Sequence, residues 1–128
     1  PITRPGPDAA RPLPAAGHAI TVPPSYEPPQ GLLAAALGAV VIAPYLGRLG
    51  DRGRAGHGEL VGWQRGVDGV GSPLRLLVAS LRSPDDLARL AAEGLDTFTI
   101  SPAIAAALFA VEPTEAAAAQ FERDACGG

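Results

Sequence analysis

The strongest constraint on this chain is a short apolar run followed by a helix-patterned stretch, a pairing repeated along its length. Ala39-Val40-Val41-Ile42-Ala43 is a continuous apolar run stopped by Pro44, and Leu74 to Ala79 is a second. Runs of this length without alternation fit strands buried on both faces, as in parallel sheets. Ile20-Thr21-Val22, halted by Pro23-Pro24, reads as a shorter strand, and Thr97 to Ile100 as another. Helices are expected between them. Residues 28–37 form an Ala/Leu run with prolines at its start and Gly38 past its end. Leu60, Val61, Trp63, Val67 and Val70 make a rough helical stripe. Ser83-Pro84-Asp85-Asp86 reads as an N-cap, an N1 proline and two first-turn acids, with Gly94 as the stop. Pro102 opens a helix through Leu108 and Phe109. A last helix runs from about Pro113 to Arg123, with Ala117, Ala118 and Phe121 expected on its buried face.

Strand–helix alternation, four times over, predicts a parallel sheet covered by helices. The expected organisation is a single α/β domain spanning residues 1–128. Nine of the 14 prolines fall in residues 1–29, so that start is expected to be weakly ordered, and 113–128 to be a C-terminal helix and tail. Pro5, Pro7, Pro12 and Pro14 restrict any helix before His18 to a short or kinked one. The segment Gly47 to Gly58, with five glycines and Arg48, Arg52 and Arg54, reads as a mobile loop. Four strands cannot close a barrel and would leave open edges, which proteins avoid. Either partner copies complete the sheet or the polypeptide extends beyond these residues.

Composition removes several chemistries. All ten basic residues are arginines, so a P-loop lysine and a Schiff-base lysine are absent from these 128 residues. One cysteine, Cys126, and two separated histidines, His18 and His57, do not give zinc spacings. No metal and no cofactor are expected, and both histidines read as incidental. A net charge of −3 without a basic face argues against nucleic acid. The longest apolar run, Leu32 to Ala43, is about half the ~20 residues of a membrane span. The lone cysteine points to a reducing, cytoplasmic setting.

In parallel α/β folds the site lies at the carboxyl ends of the strands. Three such ends carry polar chemistry here: Ala43-Pro44-Tyr45 with Arg48, then Ser80-Leu81-Arg82, then Thr99 to Ser101. Arg48, Ser80 and Arg82 suit a phosphate, because guanidinium groups bind it bidentately and a hydroxyl adds a donor. Tyr45 beside them can act as an acid/base hydroxyl.

These strand ends resemble those of the transaldolase family, closest to its small fructose-6-phosphate aldolase and short bacterial transaldolase group. The resemblance is carried by Pro1-Ile2-Thr3, Ala16-Gly17, Tyr26 with Gln30-Gly31-Leu32-Leu33, Ala43-Pro44-Tyr45 with Arg48 and Asp51, Val78 to Pro84, and Phe121-Glu122-Arg123-Asp124. It implies the C-terminal half, about four βα units plus a terminal helix, of a TIM (β/α)8 barrel. It also implies sugar-phosphate (pentose phosphate) metabolism, with a dihydroxyacetone unit transferred or cleaved through a lysine Schiff base. The implied partners are sugar phosphates of the fructose 6-phosphate and glyceraldehyde 3-phosphate class. Copies of the chain would assemble as a homo-oligomer through the C-terminal helix. On this resemblance Tyr45 is the acid/base residue, and Arg48, Ser80 and Arg82 bind substrate phosphate. The Schiff-base lysine would precede Pro1, outside this sequence, and Pro23 stands where the small aldolases carry a hydroxyl that positions catalytic water.

Two main readings follow. The chain is half of a transaldolase-like enzyme, inactive by itself, or it is a non-catalytic half-barrel that binds phosphosugars or self-associates. A third gives the secondary amine of Pro1 the iminium role.

Overall fold

The computed structural model describes residues 2–127. Four strands, β1 (Thr21–Ser25), β2 (Val41–Pro44), β3 (Arg75–Val78) and β4 (Thr97–Phe98), form one parallel sheet in sequential order. Among the described residues seven helices accompany them: α1 (Pro5–Ala10), α2 (Pro28–Ala36), α3 (Leu46–Asp51), α4 (Gly56–Gly69), α5 (Pro84–Ala92), α6 (Pro102–Ala107) and α7 (Glu112–Cys126), with a 3-10 turn over Pro14–Ala16. The expected strand–helix alternation is therefore present. The Pro1 amine lies outside the described residues.

The sheet buries one face fully. Val22, Ile42, Leu76 and Val78 are buried at matched register positions, and they join Ala34 of α2, Leu60, Trp63 and Val67 of α4, and Leu90 of α5 in one core. The other face differs from the expectation of two-sided burial. Along β3 the pattern is exposed Arg75, buried Leu76, half-buried Leu77 and buried Val78. Side chains of a strand alternate between faces, so the apolar run Leu74 to Ala79 covers a helix-packed face and a second face that is only partly covered.

Three further expectations are corrected. First, Pro23 and Pro24 do not halt β1, which continues to Ser25. β1 is an edge strand, where a residue without N–H is tolerated, and its pairing with β2 shifts register between Val22 and Ser25, across the two prolines. Second, Gly47 to Gly58 is not a loop throughout. Leu46 to Asp51 is helical because Leu46 and Leu49 are buried and fix that turn on the core, and α4 already starts at Gly56. Third, α7 has no buried residue. Ala117 and Ala118 are exposed and Phe121 is 72% exposed, because no other element among the described residues packs closely over that helix.

The local start and stop signals otherwise match. Ser83 caps α5, accepting from Asp86 N–H at 3.2 Å, while the Asp86 carboxylate accepts from Ser83 N–H at 3.1 Å and Arg82 N–H at 2.9 Å. Gly38 and Gly94 end α2 and α5 with φ of 72° and 93°, the left-handed region that favours glycine. Among the described residues no helix is long and apolar enough to cross a membrane.

Candidate functional site at the strand ends

The carboxyl ends of β2 and β3 meet through backbone. Tyr45 follows Pro44, bridges to Ala79 in parallel register, and opens α3. Leu46 N–H donates to Ala79 C=O at 2.9 Å, and Gly47 N–H to Ser80 C=O at 2.9 Å. Gly47 is required here. A Cβ at this position would stand 2.7 Å from the Ser80 carbonyl oxygen and 2.8 Å from both Ser80 Oγ and Arg82 Nε. The two strand ends thus approach to a distance that only glycine permits. Ser80 itself adopts φ 61°, left-handed backbone in a non-glycine residue.

On this frame Tyr45, Arg48, Ser80 and Arg82 belong to adjacent strand ends, but the side chains of Arg48 and Arg82 line two different clefts. Arg48 lines one of about 350 Å³ with Tyr26, Asp51 and Arg52. Arg82 lines another, of about 550 Å³, whose walls include His57, Ser83, Asp86 and Arg89. The Arg82 guanidinium donates to Gly47 C=O at 3.2 Å and to Asp51 Oδ1 at 2.5 Å. Asp51 thereby links the two clefts, and Ser80 sits at the seam against Gly47. The third strand end is separate in role: Ser101 caps α6, its Oγ accepting from Ile104 N–H at 3.3 Å.

Sequence reasoning missed three side chains. Tyr26, just after β1, packs edge-to-face on Tyr45, with ring centroids 6.2 Å apart at 75°. The Arg52 guanidinium lies 5.6 Å from the Tyr26 ring centroid. Arg54 ties the β1 end to α4: Nη1 donates to Tyr26 C=O at 2.8 Å and to Glu27 at 2.6 Å, and Nε donates to Glu59 at 2.8 Å. Hydrogen bonds to Glu59 and Glu27 raise the Arg54 pKa further, so this clamp keeps its charge at every relevant pH. The signal for it, one arginine between two glutamates, is too common in sequences to single out.

His57 is not incidental in position, since its Nε2 stands 3.0 Å from Asp86 Oδ1. Burial pushes the Asp86 carboxyl up. The backbone donors of Arg82 and Ser83, the charge of His57 and the Ser83 hydroxyl outweigh it, and the group sits below the ordinary carboxylate value.

The sequence of the chain also matches a known family. A model of the Transaldolase/Fructose-6-phosphate aldolase family matches residues 1–126. A probable transaldolase of Caulobacter sp. (strain K31) is 33% identical over 127 residues, covering 99% of this chain and 58% of that protein. One from Phenylobacterium zucineum (strain HLK1) is 35% identical over 125 residues, covering 97% and 57%. One from Lactiplantibacillus plantarum is 32% identical over 124 residues, covering 97% and 57%. The chain spans somewhat more than half the length of these relatives. With the matched region running almost end to end, this chain belongs to the transaldolase/fructose-6-phosphate aldolase family.

Proposed function

We propose that the chain is the phosphate-binding, C-terminal half of a transaldolase-type (β/α)8 barrel in cytoplasmic sugar-phosphate metabolism. The observation that carries this reading is that Tyr45 and Arg48 stand on one, and Ser80 and Arg82 on the other, of two adjoining carboxyl ends of parallel strands, brought together at the Gly47 contact. In parallel α/β folds that is where ligands bind. The half-covered second face of the sheet supports the same reading, since a barrel interior would be completed by further strands.

In this reading the phosphate of a fructose 6-phosphate or glyceraldehyde 3-phosphate class substrate lies in the Arg48 cleft, Arg82 reaches it from the neighbouring cleft by leaving Asp51, and the Ser80 hydroxyl at the seam adds a donor. Tyr45 moves a proton at the reacting carbon's oxygen. Carbon–carbon bond transfer or cleavage through a Schiff base needs a lysine, and the 128 residues contain none. The chain by itself therefore binds without turnover. Calorimetric titration with fructose 6-phosphate tests the site. Arg48→Ala or Arg82→Ala is expected to weaken binding by about 1.5–3 kcal/mol, the value of a charged hydrogen bond. Unchanged affinity in both variants would sink the assignment.

A second reading is a non-catalytic module that binds phosphosugars or self-associates. Its support is the exposed apolar surface near the C-terminus, where Phe109 is 81% and Phe121 72% exposed. Homo-oligomerisation through α7 would cover it.

A further inference from the structure

The two arginines of the smaller cleft, Arg48 and Arg52, differ from their neighbours in pairing. Arg54 is held by Glu27 and Glu59, Arg82 by Asp51, and Arg65 by Glu93. Among the described residues Arg48 and Arg52 have no carboxylate partner, yet both line the same cleft. Asp51 lines it too, but its carboxylate is taken up by Arg82. The cleft therefore carries two uncompensated positive charges.

Arg52 is also seated. Its guanidinium lies over the Tyr26 ring, a cation–π arrangement that limits where the charge can go. Tyr26 is fixed in turn at both ends of its backbone: its N–H donates to Gln30 Oε1 at 2.8 Å, and its C=O accepts from Arg54 at 2.8 Å. The same ring packs on Tyr45. One aromatic side chain thus orients both the second arginine and the acid/base candidate.

We propose that Arg52 is a second anion-binding residue of this cleft, seated by Tyr26, so that the cleft takes a phosphate monoester dianion held by Arg48 and Arg52 together. This rests on the phosphate-binding reading of the strand ends and extends it to a residue outside the Tyr45, Arg48, Ser80 and Arg82 set. Two guanidiniums on one group match the charge of the dianion and discriminate against the unphosphorylated sugar.

The test is calorimetric titration of the full chain with fructose 6-phosphate, inorganic phosphate and fructose, with circular dichroism to establish that each variant is folded. The wild type is expected to bind the two phosphates and not fructose. Arg52→Gln should weaken fructose 6-phosphate binding by about ten- to a hundredfold, as for loss of a charge-assisted hydrogen bond. Arg52→Lys, which keeps the charge but not the planar fork, should recover part of the loss. Tyr26→Phe should bind within about twofold of wild type because the ring face is retained, while Tyr26→Leu should lose affinity about five- to tenfold with the cation–π seat. If Arg52→Gln binds like wild type while Arg48→Ala does not, the role of Arg52 is overturned and the phosphate reading stands. If Tyr26→Leu binds like wild type in a folded chain, the seating role is overturned. No phosphate binding by the wild type, or full binding by both arginine variants, overturns this proposal and the broader reading together.

Discussion

Ser80 is the one non-glycine among the described residues with backbone in the left-handed region. Holding an L-residue there costs on the order of 1 kcal/mol, and such strain collects at functional positions. Its carbonyl receives Gly47 N–H and its Oγ stands close to where a Cβ of residue 47 would be, so the strained turn is what brings the β3 end against α3. Two substitutions separate strain from chemistry. Ser80→Gly should raise stability by about 0.5–1 kcal/mol in urea denaturation, because glycine adopts this φ freely. Ser80→Ala should leave the strain in place. Both should weaken fructose 6-phosphate binding about tenfold or more, as expected for loss of one hydrogen bond to a charged group. Affinity retained in both variants would exclude the Ser80 hydroxyl as a ligand.

Among the elements, α5 was the most legible and its capping carboxylate gives a pH prediction. Asp86 titrates below its ordinary value in the folded chain. A depressed carboxyl stabilises the fold above the unfolded-state pKa of about 3.9, and that contribution is lost as pH falls through the lower folded value. Asp86→Asn should therefore cost about 1 kcal/mol at pH 7, the order of a helix cap, with the gap from wild type closing below about pH 4. A gap that persists unchanged at pH 3 would show that the charge is not responsible. The Ser83-Pro84-Asp85-Asp86 signal was readable because capping is settled within four residues. The reading of α3 as a loop failed for the opposite reason. Gly47 and Gly50 argue against a helix by propensity, and the helix is held by burial of Leu46 and Leu49 and by contacts to Ser80 and Arg82, more than 30 residues away. The site divides in the same way. Tyr45, Arg48, Ser80 and Arg82 could be nominated as candidates because strand ends are local features of the pattern, whereas Tyr26, Arg52 and Arg54 make contacts across the fold that no spacing rule reports.

Across the whole molecule, α7 and the segment before it are unpartnered, with Leu108, Phe109, Val111 and Phe121 all exposed. Exposed large apolar side chains are what the proposed association through α7 would cover. Phe121→Glu should leave thermal stability of the monomer within about 0.5 kcal/mol of wild type, since it removes no buried contact. It should also shift sedimentation toward smaller species. An unchanged association state in a folded Phe121→Glu variant would mean that α7 is not the associating surface.

The prolines of β1 bear on how this sheet can grow. Pro23 and Pro24 remove two consecutive backbone donors from β1, where its pairing with β2 also shifts register, so the outer margin of this edge strand carries no regular row of donors. That margin is an interrupted template. An arbitrary extended peptide, which relies on an unbroken row of donors, gains less by adding there than at a regular edge. A neighbouring strand can be accommodated only if its own acceptors skip the missing position. The proline pair thus works as a selective stop, discouraging fibrillar stacking while leaving room for a strand of matching register.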